Sequence, residues 1–233
     1  MCTTNERMQL GFRTKAKDSE PSKKRKQLQL RGILMARNKS SVFSNIGAST
    51  HSEYEREEND FYSTDPIAIA MLHRTGLLDH DKTLWECACG DGSMSKELER
   101  LGYNVISSDL YDRGYGATGI NFLEQSELER FHGDIITNPP YKYINDFIVK
   151  GLKLTGRKLF IFCRVQTLEG QERYKRIFRD NPPSYVLPFV KRVPCYRGGD
   201  LSQFKKKSSA VAYAWFVWDI LDQSKECKIK WLI

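Results

Sequence analysis

The sequence has no apolar run near the ~18 residues that a membrane-spanning helix needs, which excludes an integral helical membrane protein. It also lacks the short apolar stretch that follows the basic start of a secretory signal, so the expected location is the cytoplasm of the host cell. Cysteines are few: Cys2, Cys87, Cys89, Cys163, Cys195 and Cys227. Cys87 and Cys89 form C-x-C with no matching second pair, so no zinc site is expected, and the thiols are read as reduced. There is no G-x-x-x-x-G-K-[ST] segment, which argues against a phosphate-cradling P-loop. No internal repeat is present.

What the chain does have is charge, unevenly distributed. Its 233 residues carry 37 basic and 29 acidic side chains, a net charge of +8. Residues 1–50 hold 11 basic and 3 acidic, residues 51–140 hold 7 and 18, and residues 141–233 hold 19 and 8. The segments therefore carry +8, −11 and +11. That pattern describes a basic tail, an acidic half-domain and a basic half-domain rather than a uniformly basic protein. Residues 1–50 show neither helical nor strand periodicity and are expected to be a disordered tail. Residues 51–233, with enough apolar content for a full core, are expected to form a single domain.

Short apolar runs alternate with helical patterns from Thr83 onward. Strands are expected at 83–87, 104–108, 118–122, 133–137, 158–163, 185–193 and 210–219. Between the first two, Met94, Leu98 and Leu101 share a helical face that Gly102 terminates. After Tyr141, Ile144, Phe147, Ile148 and Leu152 line another helix, and a basic helix spans 168–179. Near the start, Thr64 is placed to cap a helix that opens with Pro66. The alternation implies an α/β fold whose parallel sheet is covered on both faces.

Two segments carry chemistry. The first runs from Glu86 through Gly90 and Gly92, between a strand and a helix. Glycines let a ligand approach the backbone, and the helix start offers free N–H groups. Asp109 ends the next strand, 17 residues after Gly92, where it can accept the hydroxyl protons of a ribose. The acidic surroundings suit a ligand that carries positive charge, such as a sulfonium with an ammonium group.

The second segment is Asn138-Pro139-Pro140-Tyr141, directly after an apolar strand. Adjacent prolines remove two donors and fix the direction of the chain. An Asn oxygen and the following carbonyl can both accept from a planar amine, which aims its lone pair at a methyl donor. An aromatic ring such as Tyr141 can stack on an extruded base. Asn181-Pro182-Pro183-Ser184 repeats three of the letters but follows a polar helix end and lacks the aromatic, so it reads as an ordinary loop.

On these residues the sequence, over about 59–219, resembles the amino-group DNA methyltransferases that use S-adenosylmethionine, in particular small phage or prophage adenine-N6 enzymes. The resemblance implies the class I methyltransferase fold, Rossmann-like, with a seven-stranded mostly parallel sheet and helices on both faces. Phe61-Tyr62-Ser63-Thr64-Asp65-Pro66 is similar to the family's N-terminal cofactor motif, so Phe61, Tyr62, Thr64 and Pro66 are implied to hold the methionine end. Glu86, Gly90 and Gly92 match the glycine-rich cofactor loop, Asp109 the ribose-binding acid, and Leu110 the residue that packs on adenine. Asn138, Pro139, Pro140 and Tyr141 match the catalytic motif in full. Two departures stand out: Asn121-Phe122 replaces the usual Asp-Phe, and Cys87 and Cys89 occupy the glycine loop.

The expected partner is double-stranded DNA with a flipped adenine. Arg173, Lys175 and Arg176 on the basic helix, and Lys191, Arg192, Arg197, Lys205, Lys206 and Lys207 in a substrate loop near 191–208, suit a phosphate backbone. Other readings are an amino-group methyltransferase acting on RNA or on protein glutamine, and a non-catalytic nucleic-acid-binding module. Pro194-Cys195 follows the sixth strand rather than the fourth, so a cytosine-C5 nucleophile is not indicated.

Overall fold

The computed structural model describes residues 61–197 and 211–233. The expected tail, residues 1–50, lies outside them. In chain order the elements are β1 (Tyr62–Thr64), α1 (Ile67–His73), β2 (Leu84–Glu86), α2 (Ser93–Arg100), β3 (Val105–Ser107) and β4 (Asp134–Thr137). There follow α3 (Ile144–Leu154), β5 (Lys158–Arg164), α4 (Gln171–Arg173), β6 (Tyr185–Pro188), β7 (Cys195–Arg197), β8 (Tyr213–Asp219) and β9 (Lys228–Ile229).

Seven strands make one sheet in the order β3-β2-β4-β5-β8-β6-β9. Only β8 runs antiparallel to its neighbours; the β2–β3, β2–β4, β4–β5 and β6–β9 pairs are parallel. Alternation along the central strands fills two cores. Ile136, Phe160, Phe162, Trp215 and Val217 pack with Ile69 and Leu72 of α1 and Met94 and Leu98 of α2. Ile135, Leu159, Ile161, Phe216 and Trp218 pack with Phe147 and Ile148 of α3. Helices therefore cover both faces, and the period of two along each strand decides which residues meet which helices.

The strand order turns back between β2 and β4, where a crevice opens at the carboxyl ends of the strands. This places the loops after β2, β3 and β4 around one space.

Several details differ from the sequence expectations. Residues 118–122 are not a strand: a single bridge joins Ser108 to Ala117. The Asn121 side chain accepts from the Leu123 N–H at 3.1 Å and caps a 3₁₀ turn, Phe122–Glu124, in its place. The seventh strand is instead β9, two exposed residues beside β6. Thr64 does not cap α1, whose N-cap is Pro66; the Asp65 carboxylate accepts from the Ile67 N–H at 2.9 Å. The basic helix is broken into a 3₁₀ turn (Val165–Leu168), α4 and a π-helical turn (Tyr174–Phe178). Finally, β7 arises within the segment expected to be loop and pairs antiparallel with β1, Tyr62 opposite Arg197 and Thr64 opposite Cys195.

Asn181 sits between the π-helical turn and β6, where its carbonyl accepts from the Trp218 indole at 3.0 Å, in keeping with an ordinary loop. Among the described residues no helix is long and apolar enough to cross a membrane.

Candidate active site

The turn after β2 is shaped by two left-handed glycines, Gly90 (φ +56) and Gly92 (φ +77). A Cβ on Gly90 would stand 2.3 Å from the Phe61 ring, and one on Gly92 2.3 Å from the Tyr115 ring. Both strain and space therefore demand glycine here. The Gly90 N–H donates to Asp109 Oδ2 at 2.8 Å, and the Tyr111 N–H donates to Asp109 Oδ1 at 2.9 Å. One carboxylate thus ties the loops after β2 and β3 together. Phe61 is covered in turn by the Arg113 guanidinium, 4.2 Å from its ring centre.

Glu86, the last residue of β2, is almost fully buried and accepts from the Ser95 hydroxyl of α2, which also meets Ser107 at 2.7 Å. Burial pushes its carboxyl up to about 8, with the nearby Asp91 and Asp109 adding to the rise. Cys87 and Cys89 are buried beside it, and burial raises both thiols, that of Cys89 to about 12. They serve there as small apolar groups rather than nucleophiles.

After β4, the Asn138 amide nitrogen donates to the Tyr62 carbonyl at 3.2 Å and to Thr64 Oγ1 at 2.9 Å. Its Oδ1 is buried and has no hydrogen-bond partner among the described residues. The Pro139 carbonyl likewise accepts no hydrogen bond from the described residues. Buried acceptors of this kind are rare and point to a ligand or a water. Pro139 is buried, while the Pro140 carbonyl accepts from the Tyr143 N–H at 2.9 Å and starts a 3₁₀ turn.

Tyr141 lies next to this cluster. Its ring centre is 5.2 Å from that of Tyr62, the Arg164 guanidinium sits 4.5 Å from it, and its hydroxyl donates to the Tyr213 hydroxyl at 3.0 Å. Burial pushes its phenol well above the ordinary value.

A cavity of about 600 Å³ joins these parts. Phe61, Tyr62, Thr64, Glu86, Asp109 and Leu110 line it, and so do Asn121, Phe122, Asn138 and Pro140. Pro66, Gly90, Gly92, Pro139 and Tyr141 are not among the residues that line it. The sequence reading missed Met94, Tyr111, Arg113, Lys142, Tyr143 and Phe147, which also line it. The signal for most of these was proximity, since they lie one to six residues from a motif already marked.

The basic residues divide. Arg173 is committed internally: it donates to Asn145 Oδ1 at 2.7 Å and to the Thr167 and Glu169 carbonyls at 2.9 and 2.6 Å. Lys175 pairs with Glu172 at 3.4 Å and Arg176 with Asp146 at 2.6 Å. Lys191 and Arg192 are exposed. The Arg197 side chain and Lys205, Lys206 and Lys207 lie outside the described residues. Among the described residues no group of three or more His, Cys, Asp or Glu could hold a metal ion.

No family model and no curated protein sequence matches the chain. Solved structures do. One, described as an RNA methyltransferase from Pyrococcus horikoshii, aligns with a TM-score of 0.50 at 13% identity over 78% of this chain and 98% of that one. Another, described as a class I S-adenosylmethionine-dependent methyltransferase from Listeria monocytogenes, has a TM-score of 0.49 at 13% identity, covering 83% of this chain and 72% of that one. A third, described as the modification subunit of a type I restriction enzyme from Vibrio vulnificus YJ016, has a TM-score of 0.49 at 10% identity; it covers 92% of this chain, which spans 53% of that one. At these identities the likeness is one of architecture, and it agrees with the sheet described above. The chain has the Rossmann-like α/β fold of class I methyltransferases.

Proposed function

We propose that this protein is an S-adenosylmethionine-dependent methyltransferase that methylates the N6 amine of adenine in DNA. The observation that carries the reading is Asn138 at the cavity wall, with both amide hydrogens spent on β1 and its buried oxygen left without a partner. An exocyclic amine supplies the missing donor. The Pro139 carbonyl offers a second acceptor for the same amine, and two acceptors hold both of its hydrogens.

The residues present fit the cofactor. The cavity of about 600 Å³ lies within the range of roughly 300–1,000 Å³ that drug-sized ligands fill. Asp91 and Asp109 line it and favour a cationic ligand, which would in turn favour the ionised form of Glu86 beside them. Asp109, though it accepts two backbone N–H groups, keeps further lone pairs for ribose hydroxyls. Phe61, Tyr62 and Thr64 would border the methionine end, with Pro66 starting the helix that follows them, Leu110 and Phe122 the adenine ring, and Asn121 its amine. When bound, S-adenosylmethionine supplies a methyl carbon whose bond to sulfur breaks, the pair going to sulfur, as the amine lone pair bonds it and the nitrogen releases a proton.

Tyr62, which lines the cavity, and Tyr141, whose ring packs 5.2 Å from it, would give the extruded base its aromatic surface. Lys191 and Arg192, together with Arg197 and Lys205, Lys206 and Lys207, are proposed to meet the phosphate backbone. Support comes from the β1–β7 pairing, which sets Arg197 opposite Tyr62 in the ladder. Arg173, Lys175 and Arg176 would contribute only where their internal pairs exchange for phosphate.

A second reading is amino-group transfer to RNA, which the same Asn138 geometry admits. The test is transfer of isotope-labelled methyl from S-adenosylmethionine to unmethylated DNA, RNA and protein. Label on DNA that disappears with Asn138→Ala supports the proposal. Label on RNA or protein alone overturns the choice of DNA, and label on none of them leaves a non-catalytic binding module as the better account.

A further inference from the structure

A side-chain amide is nearly symmetric in shape, and its terminal torsion has two wells of similar depth. A half-turn of Asn138 would exchange its oxygen for its NH2 group. The amine of a substrate would then meet two donors instead of an acceptor. Something in the fold must choose between the two orientations, because the amino-group reading above needs the oxygen outward.

One oxygen of β1 makes that choice, and a second holds the chosen orientation in place. The Tyr62 carbonyl can only accept, so it requires a donor from Asn138 at 3.2 Å. Thr64 Oγ1 takes the second amide hydrogen at 2.9 Å. Turned over, Asn138 would set its oxygen against the Tyr62 carbonyl, two acceptors facing each other with no hydrogen between them. The clamp is firm because β1 is held on two sides. It pairs with β7, the Ser63 hydroxyl meets Ser93 of α2 at 2.7 Å, and Asp65 accepts from the Tyr196 hydroxyl at 2.9 Å. Thr64 itself is buried, 3% exposed.

We infer that Thr64 is a positioning residue: the Tyr62 carbonyl sets which way the Asn138 amide faces, and the Thr64 hydroxyl, by taking the second amide hydrogen, holds it there with Oδ1 toward the substrate amine. This deepens the proposed function and rests on it for its catalytic meaning. It gives Thr64 a task separate from cofactor contact, although Thr64 borders the same cavity.

The test compares Thr64→Val, which puts a methyl group in place of the hydroxyl, with Thr64→Ser, which keeps the oxygen. Three quantities are measured: methyl transfer under saturating cofactor, cofactor affinity by calorimetry, and hydrogen exchange of the Asn138 side-chain amide by NMR. Thr64→Val should lower kcat by about tenfold to a hundredfold, as small misplacements of a reacting group do. It should lower kcat by a larger factor than it weakens cofactor affinity, and expose the Asn138 amide hydrogens to exchange. Thr64→Ser should restore both kcat and protection. If Val does not fold, Thr64→Ala carries the same expectations.

Unchanged kcat and unchanged amide protection in the Val variant would overturn the inference. So would a loss that follows cofactor affinity and is not restored by Ser. Wild-type protein inert on every nucleic acid would overturn the proposed function instead. The amide exchange then still decides the clamp, with protection lost in Val and kept in Ser supporting it.

Discussion

The backbone N–H of Gly90 donates to the Asp109 carboxylate at 2.8 Å, joining the glycine turn after β2 to the acid two residues beyond β3. The two features, 19 residues apart in sequence, act as one unit because the second oxygen of the same carboxylate holds the Tyr111 N–H at 2.9 Å. Asp109→Ala removes both acceptors and leaves two N–H groups unpaired. The expected cost is about 2–4 kcal/mol of stability, since hydrogen bonds to charged groups are worth roughly 1.5–3 kcal/mol each. Cofactor binding should be lost as well. Asp109→Asn keeps one acceptor and should fall between wild type and Ala in thermal melting.

Glu86 gives the unliganded protein a pH dependence whose sign is fixed. Its carboxyl is raised by burial from an ordinary value near 4.5 to about 8. The folded state therefore binds this proton more tightly than the unfolded chain. The stabilisation is fully present below about pH 4.5 and is lost as pH rises towards 8. Glu86→Gln, which can still accept from Ser95, should melt like wild type at pH 4. It should melt increasingly higher than wild type between pH 5 and about 8. A cationic ligand favours the ionised carboxylate, so wild-type affinity for S-adenosylmethionine should rise over the same interval and stay flat in the variant. Calorimetric melting and titration across that range check both.

Arg173 and Lys191 should separate structure from nucleic-acid contact. Arg173 makes three internal hydrogen bonds between α4, α3 and the preceding turn, so Arg173→Ala should lower stability by about 2–3 kcal/mol. It should leave the salt dependence of DNA affinity nearly unchanged. Lys191 is exposed, and Lys191→Ala should leave melting unchanged. It should weaken DNA binding and reduce the slope of log affinity against log salt by about 0.9 for the single lost phosphate contact. Equal slopes for wild type and Lys191→Ala would remove Lys191 from the interface.

Much of this was legible in the sequence because it is local. Strand-glycine-helix, an acid at the next strand end and Asn-Pro-Pro-Tyr after a buried strand are each written in consecutive residues. Asp109, Asn138 and Glu86, each in or beside such a segment, line one cavity. Pairings between distant segments were not legible. The β1–β7 ribbon joins Tyr62 to Arg197 through three-residue strands too short for a period to show. The 118–122 strand failed because the Asn121 side chain offers the backbone a turn that competes with pairing. β9 escaped notice because two exposed residues carry no hydrophobic signal. The commitment of Arg173, too, depends in part on Asn145 of α3, 28 residues away, which only the fold brings to it.

The central claim is that Asn138 presents its oxygen to the N6 amine of adenine. The most direct measurement is nucleoside mass spectrometry of unmethylated DNA after incubation with the protein and isotope-labelled S-adenosylmethionine, beside Asn138→Ala and Asn138→Asp. The account predicts labelled N6-methyladenine from wild type, none above background from Ala, and partial recovery with Asp, whose carboxylate still accepts. Labelled methylcytosine in place of N6-methyladenine, or undiminished N6-methyladenine from Asn138→Ala, would contradict it.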